Sequence, residues 1–273
     1  MSAPQPPVPT SVDEYLAWFA PYGNTDEPYA RHHFGRFLAT YREFDGSWDR
    51  TRGMRVLDLG AHWLHQATIW QRGGYQVTAV DLPVTFGFES VQRLAESEGI
   101  TLVVNTDLES CEGLAGLPDD GFDIVLMAEI IEHLTFNPVP LWRQIHRLLA
   151  PRGRIVVTTP NYYAWNGRAW DLGRFLRGFG GGITVDEIVN TRTYGHHWRE
   201  FSRRELIRYF CLLSPDFNTV KATTMRDYYP PHHSRSRRAL GRLLERAAGL
   251  RPNLHLEVEL SEKRRGIVIE PGW

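Results

Sequence analysis

Hydrophobic positions along this chain follow two periods that take turns. From residue 55 onward, short apolar runs at 56–59, 77–80, 102–104, 124–127 and 155–158 read as buried strands. Between them, 3.6-residue spacing predicts helices: a segment through Trp70, another over 89–98, and a third over 141–149 closed by Pro151-Arg152-Gly153. Apolar strands with little polar alternation, separated by helices, imply a mainly parallel sheet with helices on both faces, an α/β fold. Further strands are expected at 217–223, 254–260 and 266–270, the last two joined by the charged turn Ser261-Glu262-Lys263-Arg264-Arg265.

The flanks break this rhythm. Residues 1–10 are proline-rich and read as a disordered tail, and Ser11-Val12-Asp13-Glu14 predicts a capping box that opens a short helix through Phe19. A second helix is expected over 29–44, with Phe34, Phe37, Leu38 and Tyr41 on one face. Residues 1–50 thus read as a tail and helical cap, which covers a site or simply packs, ahead of a main domain over 51–273. Residues 160–200, rich in Gly, Trp, Tyr and Arg and including Gly178 and Gly180-Gly181-Gly182, read as a lid-like insertion after a strand end. Ser202 and Glu205 then form a second capping box for a helix reaching Leu213.

Composition narrows the function classes. A chain of 273 residues, 42% hydrophobic and 23% charged, fits one large globular domain with extensions. The net charge of −1 creates no overall field toward nucleic acid or an anionic membrane, so no membrane partner is expected. Arg235, Arg237, Arg238, Arg242, Arg246 and Arg251 read as a solvated helix face rather than a phosphate patch. Cys111 and Cys211 lack metal-type spacing, the start lacks a signal-peptide pattern, and no apolar run approaches the ~20 residues that span a bilayer. A reducing, cytoplasmic setting follows as the expectation.

Candidate chemistry gathers where the strands end. Ligands of open α/β sheets sit outside the carboxyl ends of the strands. There the run 122–134 passes from strand into Glu129, Glu132 and His133, which would share one face if a helical turn begins. Two carboxylates and an imidazole pointing together call for a cation or a proton, and Mg²⁺ or Mn²⁺ takes such oxygen-rich sites. Asp81 ends the second strand 23 positions after Asp58, where an acid can accept both hydroxyls of a ribose. The dinucleotide fingerprint G-x-G-x-x-G is absent, which argues against an oxidoreductase.

Val56-Leu57-Asp58-Leu59-Gly60, Val77 to Asp81, Asp107, Leu148 to Ile155 and Thr159-Pro160-Asn161 form an ordered series over roughly 52–225. This series resembles the motifs of class I S-adenosylmethionine-dependent methyltransferases. The resemblance implies a Rossmann-like, mainly parallel seven-stranded sheet. It also implies that Asp58 and Gly60 hold the amino-acid end of the cofactor, Asp81 its ribose, and Asp107 and Leu108 its adenine. The family's later glycines are replaced by Ala61-His62-Trp63-Leu64-His65, where His62 and His65 either enclose the cofactor or are ordinary loop histidines.

Glu129-x-x-Glu132-His133 resembles the metal site of small-RNA 3′-terminal 2′-O-methyltransferases and of ubiquinone-pathway catechol O-methyltransferases. His197-Trp198-Arg199-Glu200-Phe201-Ser202-Arg203 resembles the small-RNA family's later segment, which implies His197 as the fourth ligand beside Glu129, Glu132 and His133. Glu129 would also border the cofactor. Glu132, His133 and His197 would carry the catalysis, and His196 reads as a satisfied loop histidine or a substrate contact. Together these point to a metal-dependent O-methyltransferase acting on a vicinal diol. A saccharide or polyhydroxylated small molecule is the expected acceptor, and an RNA 3′ end is the alternative. The broken glycine motif keeps a further class open, a non-catalytic cofactor-binding scaffold.

Overall fold

The computed structural model describes residues 8–23, 25–45, 55–165, 167, 173, 176–178, 182–226 and 234–272. The strands are β1 (Arg55–Leu59), β2 (Gln76–Asp81), β3 (Thr101–Val104), β4 (Phe122–Ala128), β5 (Leu149–Pro160), β6 (Phe217–Met225) and β7 (Asn253–Leu260). They form one seven-stranded sheet in the order β3-β2-β1-β4-β5-β7-β6. β1 to β5 pair in parallel, whereas β7 runs antiparallel to both β5 and β6. The order reverses at β1, between β2 and β4, and such a switch point opens the crevice in which α/β proteins bind ligands.

Each face of the sheet carries its own apolar layer. On one face α1 (Val12–Ala17), α2 (Glu27–Asp45) and α3 (His65–Arg72) pack against the sheet. Phe34, Phe37, Leu38, Tyr41 and Phe44 of α2 are buried, with Trp70 of α3 set 5.1 Å from Phe44 and 5.4 Å from Tyr41 between ring centroids. Burying each such side chain contributes about 1.5–3 kcal/mol. The expected helical cap is therefore part of the same core as the sheet, and it shares that core with Val56, Ile124 and Leu126. On the other face the helices Val139–Leu148 and Arg203–Leu213 bury Trp142, Ile145, Leu206 and Phe210 against β4, β5 and β7.

Most predicted elements form, with three corrections. Ser11 accepts from Glu14 N, but the Glu14 carboxylate turns to Thr10 rather than completing the reciprocal box. The box Ser202–Glu205 forms in both directions. Pro151-Arg152-Gly153 lies inside β5: Leu149 already pairs with Phe122, and a register shift places Arg152 at φ +65°. Residues 266–270 form no strand, because β7 is flanked on both sides by β5 and β6. Instead, Arg265 N and Gly266 N donate to Asp216, and Val268 N donates to Leu213 O. Of the tail expected over 1–10, residues 1–7 lie outside the described residues, whereas Val8 packs on the core, Pro9 is buried and Thr10 bonds Glu14. Arg168, Trp170, Arg174, Gly180 and Gly181 of the insertion also lie outside the described residues.

Candidate active site

The turn after β1 keeps a glycine-type path without the glycines. Gly60 takes φ +75°, and a Cβ there would lie 2.1 Å from Ile130 Cδ1. His62 and Leu64 then adopt φ +49° and +65°, left-handed steps that cost a non-glycine residue about 1–2 kcal/mol each. Local bonding offsets that cost. His62 N donates to Asp81 Oδ2 at 2.7 Å, and Leu64 is fully buried in the core under the cap. Asp81 Oδ1 accepts from Leu82 N at 2.7 Å, so two backbone donors hold its carboxylate at the end of β2.

Asp58 lies beneath this turn, 1% exposed, with Oδ2 lacking a hydrogen-bond partner. Burial, and then the charge of Asp81, pushes its carboxyl up to about 7. His65 turns away from the crevice: its Nε2 meets Thr25 O at 2.8 Å, and its ring packs on Phe19. His65 is therefore a packing residue of the cap. His62 stays at the crevice, 4.8 Å from the Tyr29 ring of α2. Asp107 is exposed and accepts from Ser110 N and Ser110 Oγ, an arrangement that shapes the loop after β3. Leu108 is half-buried there.

Asp58 carries a pH dependence with a definite sign. Its folded-state pKa lies above the ordinary aspartate value, so it favours the folded state below about pH 4. That contribution is lost as the pH rises through about 7. Ligand-free protein is expected to lose stability over this window, and Asp58→Asn to flatten the loss. Chemical unfolding of both proteins at about pH 5 and about pH 8 measures it; equal slopes would refute this reading.

Beyond β4 the chain makes one 3₁₀ turn, Ile131–His133, not the helical face expected for Glu129, Glu132 and His133. Glu129 precedes that turn at φ +58°, its N–H donating to Thr158 O at 2.8 Å. Backbone bonds from the insertion do what helical spacing does not. Trp198 N and Arg199 N both donate to Glu132 O, while His133 Nδ1 meets His196 O at 3.0 Å. An Asn161–Phe201 bridge ties the same segment to the end of β5. His197 is thus carried across, its ring 4.7 Å from that of His133 in an edge-on arrangement.

Glu132, His133 and His197 each present one donor atom, all within 4.8 Å of one another. Glu132 is fully buried; Thr159 Oγ1 donates to its Oε2 at 2.8 Å, and its Oε1 has no hydrogen-bond partner. Burial, and then the neighbouring Glu129 charge, pushes the Glu132 carboxyl well above the usual carboxylate range. Because Nδ1 of His133 faces a carbonyl it carries the proton, which leaves Nε2 as the lone-pair donor toward Glu132, 4.0 Å from Oε1. This donor set suits a divalent cation: a buried carboxylate oxygen lacking a bond beside two imidazoles is a costly arrangement that a cation offsets. His196 meets Thr191 O at 2.9 Å through Nε2 and is a satisfied loop histidine.

Glu129 stands apart from that trio. Its Oε2 pairs with Arg36 Nη1 at 3.2 Å, the two side chains being 11% and 13% exposed, and its Oε1 has no hydrogen-bond partner. Arg36 Nη2 also meets the Tyr29 hydroxyl at 3.3 Å. Sequence reasoning missed Arg36 entirely. The only signal was its place on the helix whose other residues form the apolar stripe, and nothing in the spacing connects position 36 with position 129.

A seven-stranded sheet with one antiparallel strand, Asp58 within β1, Asp81 at the end of β2 and a glycine turn at the switch point make up the Rossmann-like fold of class I methyltransferases. Residues 57–157 match the family described as a methyltransferase domain. It is 33% identical over 111 residues to a ubiquinone biosynthesis O-methyltransferase of Xanthomonas oryzae pv. oryzae, a match covering 40% of this chain and 44% of that relative. The chain thus matches less than half the length of that relative. In fold it resembles a chain of the complex between the Haloferax volcanii Trm112 methyltransferase activator and a methyltransferase. That match has TM-score 0.58 and 16% identity, over 91% of this chain and 98% of that one. It also resembles an S-adenosylmethionine-dependent methyltransferase from Aquifex aeolicus, with TM-score 0.52 and 11% identity, over 92% and 100% of the two chains.

Proposed function

We propose that this protein transfers the methyl group of S-adenosylmethionine to a hydroxyl of a vicinal diol, on a saccharide or other polyhydroxylated small molecule, with a divalent cation at the acceptor. The observation that carries this reading is the Glu132–His133–His197 trio within 4.8 Å at the carboxyl end of the sheet, its one carboxylate fully buried. Oxygen as the accepting atom is supported by the O-methyltransferase relatives. A non-catalytic scaffold is disfavoured, since Gly60, His62 and Leu64 still make a tight turn through left-handed conformations at the switch point.

Asp58, Gly60, His62 and Asp81 line the cofactor end, with Asp107 and Leu108 on the adenine side. Asp81 would accept the ribose hydroxyls, and Gly60, where a Cβ would collide with Ile130, would face the cofactor with backbone alone. Methyl transfer is an in-line displacement, so the main task of these residues is alignment. Glu132, His133 and His197 would hold Mg²⁺ or Mn²⁺, with Glu129 bordering both cation and cofactor. Such a cation supplies Lewis acidity that lowers the pKa of a coordinated hydroxyl and orients it. The insertion over 160–200 brings His197 in, and Tyr162 and Trp198, both exposed beside it, would meet the acceptor. The segment His197 to Arg203 favours one second reading, an RNA 3′-terminal ribose, which offers the same diol.

Thermal unfolding after chelation, across a grid of S-adenosylhomocysteine and Mn²⁺, tests the proposal. Each ligand is expected to raise Tm by mass action, with about 2.7 kcal/mol at a hundredfold excess over Kd. Asp81→Ala should weaken the S-adenosylhomocysteine response by about tenfold or more in affinity while sparing the Mn²⁺ response. Cofactor response alone would leave a metal-free enzyme with His133 Nε2 as the base. Response to neither would favour the scaffold.

A further inference from the structure

The arginine run that reads as a solvated face in the sequence has a different surface in the fold. Among the described residues of helix Arg235–Leu244, Gly241 is buried and Arg238 and Leu244 are half-buried, with Glu245 buried just beyond its end. At 100° per residue, its solvent side divides into two strips. One strip holds Arg235 and Arg242, continued by Arg246, all exposed. Beside it lie Ala239, Leu243 and Leu240, the two leucines 57% and 49% exposed. Among the described residues no carboxylate pairs with Arg235, Arg242 or Arg246, and the nearest acid in sequence, Glu245, points inward.

We propose that this helix is a peripheral membrane contact that lies flat on an anionic phospholipid surface, with Leu240 and Leu243 inserted at the level of the acyl chains. Cations beside an apolar strip on one exposed helix are the arrangement that such surfaces select. Arginines near an anionic leaflet gain electrostatic attraction, and inserted leucines add hydrophobic transfer. A second copy of the chain fits poorly, because like charges would oppose across a two-fold axis. RNA fits poorly too, because the helix carries leucines where base stacking needs aromatic rings. The net charge of −1 does not oppose the contact, since screening confines the interaction to charges within about 10 Å of the surface.

The placement joins this surface to the candidate site. After the helix, Gly249 O and Arg251 O both accept from Asn161 Nδ2, and Asn161 N donates to Pro252 O. The helix is thereby tethered at the carboxyl end of β5, where Thr159 donates to Glu132. Among the described residues no helix is long and apolar enough to cross a membrane, so the contact would be one of adsorption.

Co-sedimentation of the full chain with vesicles tests this. Vesicles of phosphatidylglycerol and phosphatidylcholine in equal parts are expected to retain the protein reversibly, and pure phosphatidylcholine vesicles at least about tenfold less. Leu240→Ser with Leu243→Ser should lower the partition coefficient by about tenfold or more at unchanged Tm. Arg235→Ala with Arg242→Ala should lower it similarly and weaken its salt dependence. Because all four side chains are exposed, Tm serves as the folding control. Absence of retention on the anionic vesicles would overturn the proposal, as would a leucine variant that partitions like the wild type. Displacement of the protein from vesicles by polyuridylate, with equal polyuridylate affinity in wild type and leucine variant, would instead assign the face to RNA and overturn it too.

Discussion

Glu132→Gln is expected to abolish the Mn²⁺-dependent rise in Tm and, in the same molecule, to make the metal-free protein more stable. Both effects have one cause. Glu132 is fully buried beside Glu129, and its carboxyl is pushed well above the usual range by burial and by that neighbouring charge. A neutral amide keeps an acceptor for Thr159 Oγ1 but removes one of two crowded carboxylates, so metal-free stability near neutral pH should rise by about 1–2 kcal/mol. Methyl transfer to a diol acceptor should fall by about 100-fold or more, since neither imidazole can replace the lost anionic ligand. Differential scanning calorimetry with and without Mn²⁺ gives both signs. A variant that keeps its Mn²⁺ response would remove Glu132 from the cation site.

Arg36→Met should act in the opposite direction on the metal-free protein, with a loss of about 3 kcal/mol. Arg36 is the guanidinium that meets Glu129, and its charge also reaches Glu132. Removing it leaves two buried carboxylates without a compensating cation. Mn²⁺ should therefore stabilise the variant more than the wild type. Adding Glu129→Gln should recover most of the loss, a non-additivity that a double-mutant cycle reads directly. Equal Mn²⁺ shifts in variant and wild type would mean that Arg36 and the cation do not share the charge of Glu129 and Glu132.

The two predictions rest on residues that differ in how far the sequence disclosed them. Glu132 and His133 are legible because polar, ligand-forming side chains follow an apolar strand, whereas His197 enters through the resemblance of the segment His197 to Arg203. Helical spacing does not bring these residues together: the chain makes a single 3₁₀ turn, and Glu129 sits outside it in the left-handed region. What brings the trio together is a pair of donors, Trp198 N and Arg199 N, on the Glu132 carbonyl. Main-chain bonds of this kind leave no mark in residue type. Arg36 was hidden for a related reason, because its partner is 93 positions away and on a different layer.

The sequence by itself determined the α/β class, the seven strands that form, the acids Asp58 and Asp81 at their ends, and the two halves of the candidate metal set. Apolar periodicity and strand-end chemistry are local, and local patterns survive in a linear string. Tertiary structure decided which oxygen of which acid is left without a bond, and that Glu129 pairs with Arg36 rather than joining the trio. It also decided that residues 266–270 bind Asp216 and Leu213 instead of adding a strand. The leucines of an arginine-rich helix were left in solvent at the same level. These outcomes depend on which surfaces remain uncovered after the layers have packed, and no window of sequence contains that information.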